Sequence, residues 1–146
     1  MKIRNILIFL LGFLGLGALG GGGVLILSPS GEMMGMPVKI IQSSPFSNFL
    51  IPGIILFVFF GLTPILLIYA LIQKPKWRFP EFFNFFNDMH WAWTYTIYIA
   101  FALIIWIQTE MMYLKAIHWS HCLYMAIALV ILFITMLPQI RLLYKK

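Results

Sequence analysis

Residues 49–72 read FLIPGIILFVFFGLTPILLIYALI, an apolar stretch without a single charge. A helix of ~20 such residues, rising ~1.5 Å per residue, matches a hydrocarbon layer ~30 Å thick. Its middle, Ile54-Ile55-Leu56-Phe57-Val58-Phe59-Phe60, does not alternate apolar with polar side chains, as a strand of a membrane barrel must. The segment therefore spans a bilayer as a helix. Working outward from it, three more segments pass the same test: Ile6–Leu27, Trp91–Gln108 and Trp119–Arg141. Composition agrees. Of the residues, 62% are hydrophobic and 10% charged, against roughly 45–50% and about 25% in soluble domains. The expected fold is all-α: one polytopic domain over residues 1–146, a four-transmembrane-helix bundle with short interfacial helices.

The first span is expected to stay in the protein. Its apolar run exceeds the ~7–15 residues of a signal peptide, and Ser28-Pro29-Ser30-Gly31 is a poor cleavage sequence. A lone cysteine, Cys122, excludes an intrachain disulfide and CxxC redox chemistry.

Basic residues set the expected orientation. Lys2 and Arg4 precede span one, Lys74, Lys76 and Arg78 follow span two, and Arg141, Lys145 and Lys146 close the chain. Only Lys39 and Lys115 fall in the other two loops. Positive charge is retained in the cytoplasm during insertion, so both termini and the middle loop are expected inside, in a cytoplasmic (inner) membrane. The net charge of +6 then reflects insertion and attraction to anionic headgroups. Outside the membrane-flanking segments there is no basic stripe for nucleic acid.

Local punctuation fills in the layout. Ser28-Pro29-Ser30-Gly31 is a turn, and Ser44-Pro45 is a helix start. Val38, Ile40 and Ile41 form an apolar patch suited to the membrane surface. Pro64 should bend span two, with Thr63 bonding a freed carbonyl. Pro80 to Met89 reads as an amphipathic interfacial helix, with Phe82, Phe83, Phe85, Phe86 and Met89 on one side and Asn84, Asn87 and Asp88 on the other. His90, Trp91, Trp93, Tyr95 and Tyr98 read as an aromatic belt. Span one is glycine-rich, and Gly17 with Gly21 forms a GxxxG pair for close helix packing, internal by default.

The outer loop and its borders run Pro29-Ser30-Gly31, Gly35-Met36-Pro37, Ser44-Pro45-Phe46 and Phe49-Leu50-Ile51-Pro52-Gly53, followed later by Trp106-Ile107, Glu110 and Trp119. This resembles a group of small bacterial four-helix membrane proteins with a "PSG…GMP…SPF…IPG" outer loop. The resemblance covers most of the chain and implies the four-helix layout and a bacterial cytoplasmic membrane. It implies no activity, because its motifs are turn and packing residues.

Polar residues gather on the expected outer side: Glu32, Gln108, Glu110, His118 and His121, beside Cys122. His118 and His121 share one helical face, and Glu110 follows the third span closely enough to meet them. Glu110, His118, His121 and Glu32 are the candidate ligand-binding residues, with Glu110 and His121 the first pair. Three N/O ligands suit a divalent ion, and Met33, Met34, Met36, Met111 and Met112 add sulfur for copper(I). Without HExxH or paired CxxC spacing no metal or cofactor is assigned. The spans hold no ionisable group at depth, against proton relays and voltage sensors, and no catalytic constellation is visible. The functional expectation is an accessory or interaction protein, with membrane lipids, a membrane-protein partner or a second copy as partners. The alternative is a lipid, quinone or small-molecule binder with its site on the outer face.

Overall fold

The computed structural model describes residues 2–30, 48–114 and 119–146. Among the described residues, four helices are long and apolar enough to cross a membrane: α1 (Ile3–Leu27), α2 (Leu50–Gln73), α4 (Trp91–Leu114) and α5 (Trp119–Met136). Two short helices join them near one end, α3 (Arg78–Phe82) and α6 (Pro138–Tyr144). Helix α1 packs on α2, α2 on α4, α4 on α5 and α5 back on α1, closing a four-helix ring.

The apolar positions recur at helical spacing, so each helix turns one stripe inward. Leu7, Leu11 and Leu14 of α1, Leu67 and Leu71 of α2, Leu103 and Ile107 of α4, and Ile131 of α5 are buried together. The outside is equally apolar. Phe9, Leu16, Ile105 and Phe133 are each about two-thirds exposed, a surface that suits lipid tails and not water. The chain is a multi-pass, all-α membrane protein.

Helices α1 and α2 approach closely at glycines, but not at the expected pair. A Cβ on Gly22 would stand 2.6 Å from the Phe57 backbone nitrogen and 2.8 Å from the Gly53 oxygen. One on Gly53 would meet the Leu25 Cβ at 2.7 Å. Gly21 meets only the tip of Leu56 at an ordinary 3.6 Å, and Gly17 makes room for the Tyr124 hydroxyl of α5. The close contact is internal, and the residues that permit it lie on a different stripe from Gly17 and Gly21.

Span two does deform before Pro64. Residues Val58–Leu62 form a π turn, and Thr63 donates both its backbone N–H and its hydroxyl (3.1 Å) to the Val58 carbonyl. The wider turn lies just before Pro64, which has no N–H to donate to the Phe60 carbonyl four residues back.

Span four ends earlier than expected. Leu137 is extended (φ −64°, ψ 143°) and Pro138 starts α6, so Met136, not Arg141, closes the spanning helix. The break leaves the Thr135 carbonyl without a helical partner, and the Trp93 indole N–H takes it at 2.7 Å.

The Pro80–Met89 segment is the main correction. Helix stops at Phe82, and the chain then turns around the side chain of Asn84, which is 4% exposed. Asn84 Nδ2 donates to Glu81 Oε1 (3.0 Å) and the Met89 carbonyl (2.8 Å). Its Oδ1 accepts from Thr94 Oγ1 (2.6 Å) and the Phe86 N–H (3.1 Å). Two donors and two acceptor positions use the whole amide. An asparagine able to bond its neighbours' backbone competes with the helix, and here the competition ends it. Met89 is buried while Phe82 and Phe85 are exposed, so the expected segregation of faces does not hold. Trp91 and Trp93 likewise lie inside, 1% and 5% exposed, rather than in a lipid-facing belt. Thr96 and Thr135 do bond carbonyls one turn back, whereas Thr94 is drawn to Asn84.

Candidate functional sites at the two ends

Both termini lie at one end of the bundle. The Tyr144 hydroxyl donates to the Leu71 carbonyl at the end of α2 (2.7 Å). The C-terminal residues pair antiparallel with the start of α4, His90 N–H to the Tyr144 carbonyl (2.7 Å) and Lys146 N–H to the Asp88 carbonyl (2.9 Å). Lys74, in the left-handed region at φ 51°, donates to the Leu143 carbonyl (2.7 Å) and lies 5.1 Å from the Tyr144 ring centre. Arg4 of α1 lies against the same tyrosine. Burial pushes the Tyr144 phenol above its usual value, against the pull of Arg4. The eight basic residues outside Lys39 and Lys115 thus converge on this end.

An open-sided recess of about 860 Å³ is cut into it, between residues 74–91 and the C-terminus. Five of its lining side chains are cationic (Lys74, Lys76, Arg78, Lys145 and Lys146), against the one carboxylate of Glu81. Lys146 pairs with Glu81. Burial raises the Glu81 carboxyl, but the Lys146 ammonium and the Asn84 amide outweigh that and hold it below its usual value. Two lining residues, His90 (ring Nε2, 3.0 Å) and Trp91 (indole N–H, 2.8 Å), both meet the Pro75 carbonyl as acceptor. His90 Nδ1 accepts the Ala92 N–H at 3.1 Å, a geometry only the neutral ring satisfies. Burial depresses His90 below its usual value, outweighing the Pro75 and Lys74 carbonyls and the charge of Glu81; Lys146 adds to the depression.

The opposite end holds the pair placed first in the sequence reading, Glu110 with His121. Glu110 Oε2 and His121 Nε2 lie 3.0 Å apart, the imidazole 9% and the carboxylate 31% exposed. Glu110 sits inside α4, which runs on to Leu114, and His121 lies in the first turn of α5. The pair therefore ties two neighbouring helices together just before their connection. One turn below, the Trp106 indole N–H faces Glu110 without reaching hydrogen-bond geometry, and its ring packs on Phe60 at 5.9 Å. His118, Glu32 and the methionines at 33, 34 and 36 lie outside the described residues. Among those described, no three His, Cys, Asp or Glu side chains converge.

Sequence reasoning paired Glu110 with His121, the two residues the structure joins. It passed over the recess, because its lysines and arginine were already accounted for by insertion. The signal was available in the C-terminal Leu-Tyr-Lys-Lys run, whose basic pair matches the basic loop before α3. What it lacked was the turn at Pro138 that brings the two together.

No protein-family model matches the sequence, and no curated protein or solved structure is significantly similar to it.

Proposed function

We propose that the chain is an accessory protein of the bacterial cytoplasmic membrane that acts by binding, with both termini and the basic end in the cytoplasm. The observation that carries this reading is the basic recess: five cations and an aromatic wall around one open volume, at the level where α2 ends and α4 begins. Retention of positive charge on the cytoplasmic side supports the orientation. The resemblance in the outer-loop motifs supports the bacterial membrane. The frame around the recess is tied to main-chain carbonyls, which gives a partner a fixed surface.

A second reading rests on the Glu110–His121 pair, a small polar ligand held at the opposite end. It ranks lower because Nε2 of His121 and one carboxylate oxygen are already spent on each other.

The test is reporter fusion after Lys146 and at Lys39, followed by purification in mild detergent and mass spectrometry of what co-purifies. The reading expects an inside signal at Lys146, an outside signal at Lys39 and a stoichiometric companion. A C-terminus reporting outside would sink the orientation, and a chain that purifies with nothing bound would sink the binding role.

A further inference from the structure

The recess at the basic end does not stop at the basic residues. Trp77, 41% exposed, stacks on Trp91 inside the recess (ring centres 5.5 Å apart) and on Tyr69 of α2 (6.2 Å). Tyr69 also lines a second, apolar furrow of about 460 Å³ that runs up α2 past Leu66, Ile65 and Leu62 to Val58. These positions follow one face at i, i+4, i+7, i+8 and i+11. Thr63 borders the furrow too, but its hydroxyl is turned onto the Val58 carbonyl, so the surface offered is hydrocarbon. The tyrosine–tryptophan stack joins the two recesses into one track, polar at the bundle end and apolar toward its middle.

Its dimensions match one class of molecule. From Tyr69 to Val58 the helix climbs about 16 Å at ~1.5 Å per residue, roughly half of a ~30 Å hydrocarbon layer. That is the depth of one leaflet. Within the basic recess Lys74 is fixed on the Leu143 carbonyl and Lys146 on Glu81. Lys76, Arg78 and Lys145 line it with no acidic partner among the described residues. A phosphate answers three such cations, and Arg78 offers it a planar, bidentate fork. Indole and phenol rings suit the boundary between headgroup and chain.

We propose that this track is a binding site for an anionic phospholipid, its phosphate held by Lys76, Arg78 and Lys145 and one acyl chain laid along α2 between Tyr69 and Val58. The inference deepens the binding role above by naming its ligand class, and it does not depend on which way the chain faces.

Native mass spectrometry of the full chain, released from neutral maltoside micelles, tests it. The probes are dioleoyl phosphatidylglycerol, dioleoyl phosphatidylcholine and inorganic phosphate. One phosphatidylglycerol should be retained in preference to phosphatidylcholine, and inorganic phosphate should not displace it. The triple variant K76Q/R78Q/K145Q should bind it at least tenfold more weakly, given about fivefold per cation. Leu66→Trp, which fills the furrow at an exposed position, should weaken the lipid severalfold. The control K2Q/R141Q, which removes charge at the same end outside the recess, should bind like the wild type. Equal retention of the two lipids, displacement by inorganic phosphate, or a triple variant that binds like the control would overturn the proposal. Topology reporters read the orientation separately, so an outward C-terminus with intact lipid binding refutes the orientation alone. A protein companion without lipid selectivity refutes the lipid alone.

Discussion

The two ends of this bundle solve the same problem in opposite ways. Each must close an apolar four-helix ring with polar groups. At the end that gathers the termini, side chains are bound mainly to main-chain carbonyls and amides: Asn84 to Met89 and Phe86, Tyr144 to Leu71, Lys74 to Leu143, Trp91 to Pro75. At the other, the side-chain pair of Glu110 and His121 stands beside a Phe49 N–H donated to the Pro29 carbonyl and a Leu50 N–H donated to Asn48 Oδ1. A main-chain acceptor is present whatever the sequence, so the first kind of closure depends on the fold being formed. The Glu110–His121 pair depends on two particular residues. A side chain lost at the first end strands a main-chain group that no substitution removes, so single substitutions should do more damage there.

The strongest break should come from Asn84→Ala. It leaves Thr94 Oγ1 and the Met89 carbonyl, both buried, without their partner and releases the turn between α3 and α4. Each stranded buried group costs about 1–3 kcal/mol, so a loss of about 3 kcal/mol is expected in detergent unfolding. Asn84→Asp keeps the acceptor for Thr94 and Phe86 but sets a buried carboxyl against Glu81 Oε1 and the Met89 carbonyl, so it should lose at least as much. If both variants unfold like the wild type, the turn is not held by this amide.

Next in size is the apolar seam between α1 and α2, a neutral reference for both polar ends. Gly22→Ala should destabilise by about 2 kcal/mol, because the atoms in the way are backbone and unable to swing aside. Gly20→Ala, with nothing within 4 Å of the new methyl, should instead stabilise by up to about 1 kcal/mol through helix propensity. Opposite signs two residues apart would establish that close approach, and not glycine content, is what α1 requires.

At the far end, Glu110→Ala should cost about 1–2 kcal/mol, within the range for losing a partner of a buried polar group. In a double-mutant cycle with His121→Ala the two losses should be non-additive by at least about 0.5 kcal/mol. Additive losses would mean the pair contributes nothing beyond its separate members.

This ranking also marks how much the sequence disclosed. The four spans were legible because bilayer thickness is an external ruler, and uncharged runs such as Phe49–Ile72 are measured against it. The Glu110–His121 pair was legible for a related reason: few polar residues stand near a short connection, so there are few ways to combine them. The end with the termini was not legible. Its partners are carbonyls, which every residue carries, and its key side chain is an asparagine whose periodicity put it on a wet face. The break at Pro138 was passed over, although proline inside an apolar run is a standing signal. Without it neither the freed Thr135 carbonyl nor the docking of Tyr144 follows.

The smallest expected effect is the one that reads the end with the termini most selectively. His90 is neutral in the fold, since its Nδ1 accepts the Ala92 N–H, and burial holds it below the usual histidine value of about 6.5. A base depressed by folding binds fewer protons in the native state than in the unfolded one. Stability therefore rises with pH through this window, is complete above about 6.5, and is lost as pH falls toward the depressed native value. The charges facing the ring are Glu81, which opposes the depression, and Lys146, which adds to it. Glu81, itself held below its usual value of 4.5, keeps its own contribution above about 4.5, outside the range that reads the histidine. Thermal unfolding in micelles between pH 7.5 and 5 should show a shallow decline in the wild type. In His90→Gln, which keeps a donor for the Pro75 carbonyl, that decline should flatten. An unchanged slope in that variant would mean the ring is solvated in the native state, and the recess would lose the rigid lining its geometry requires.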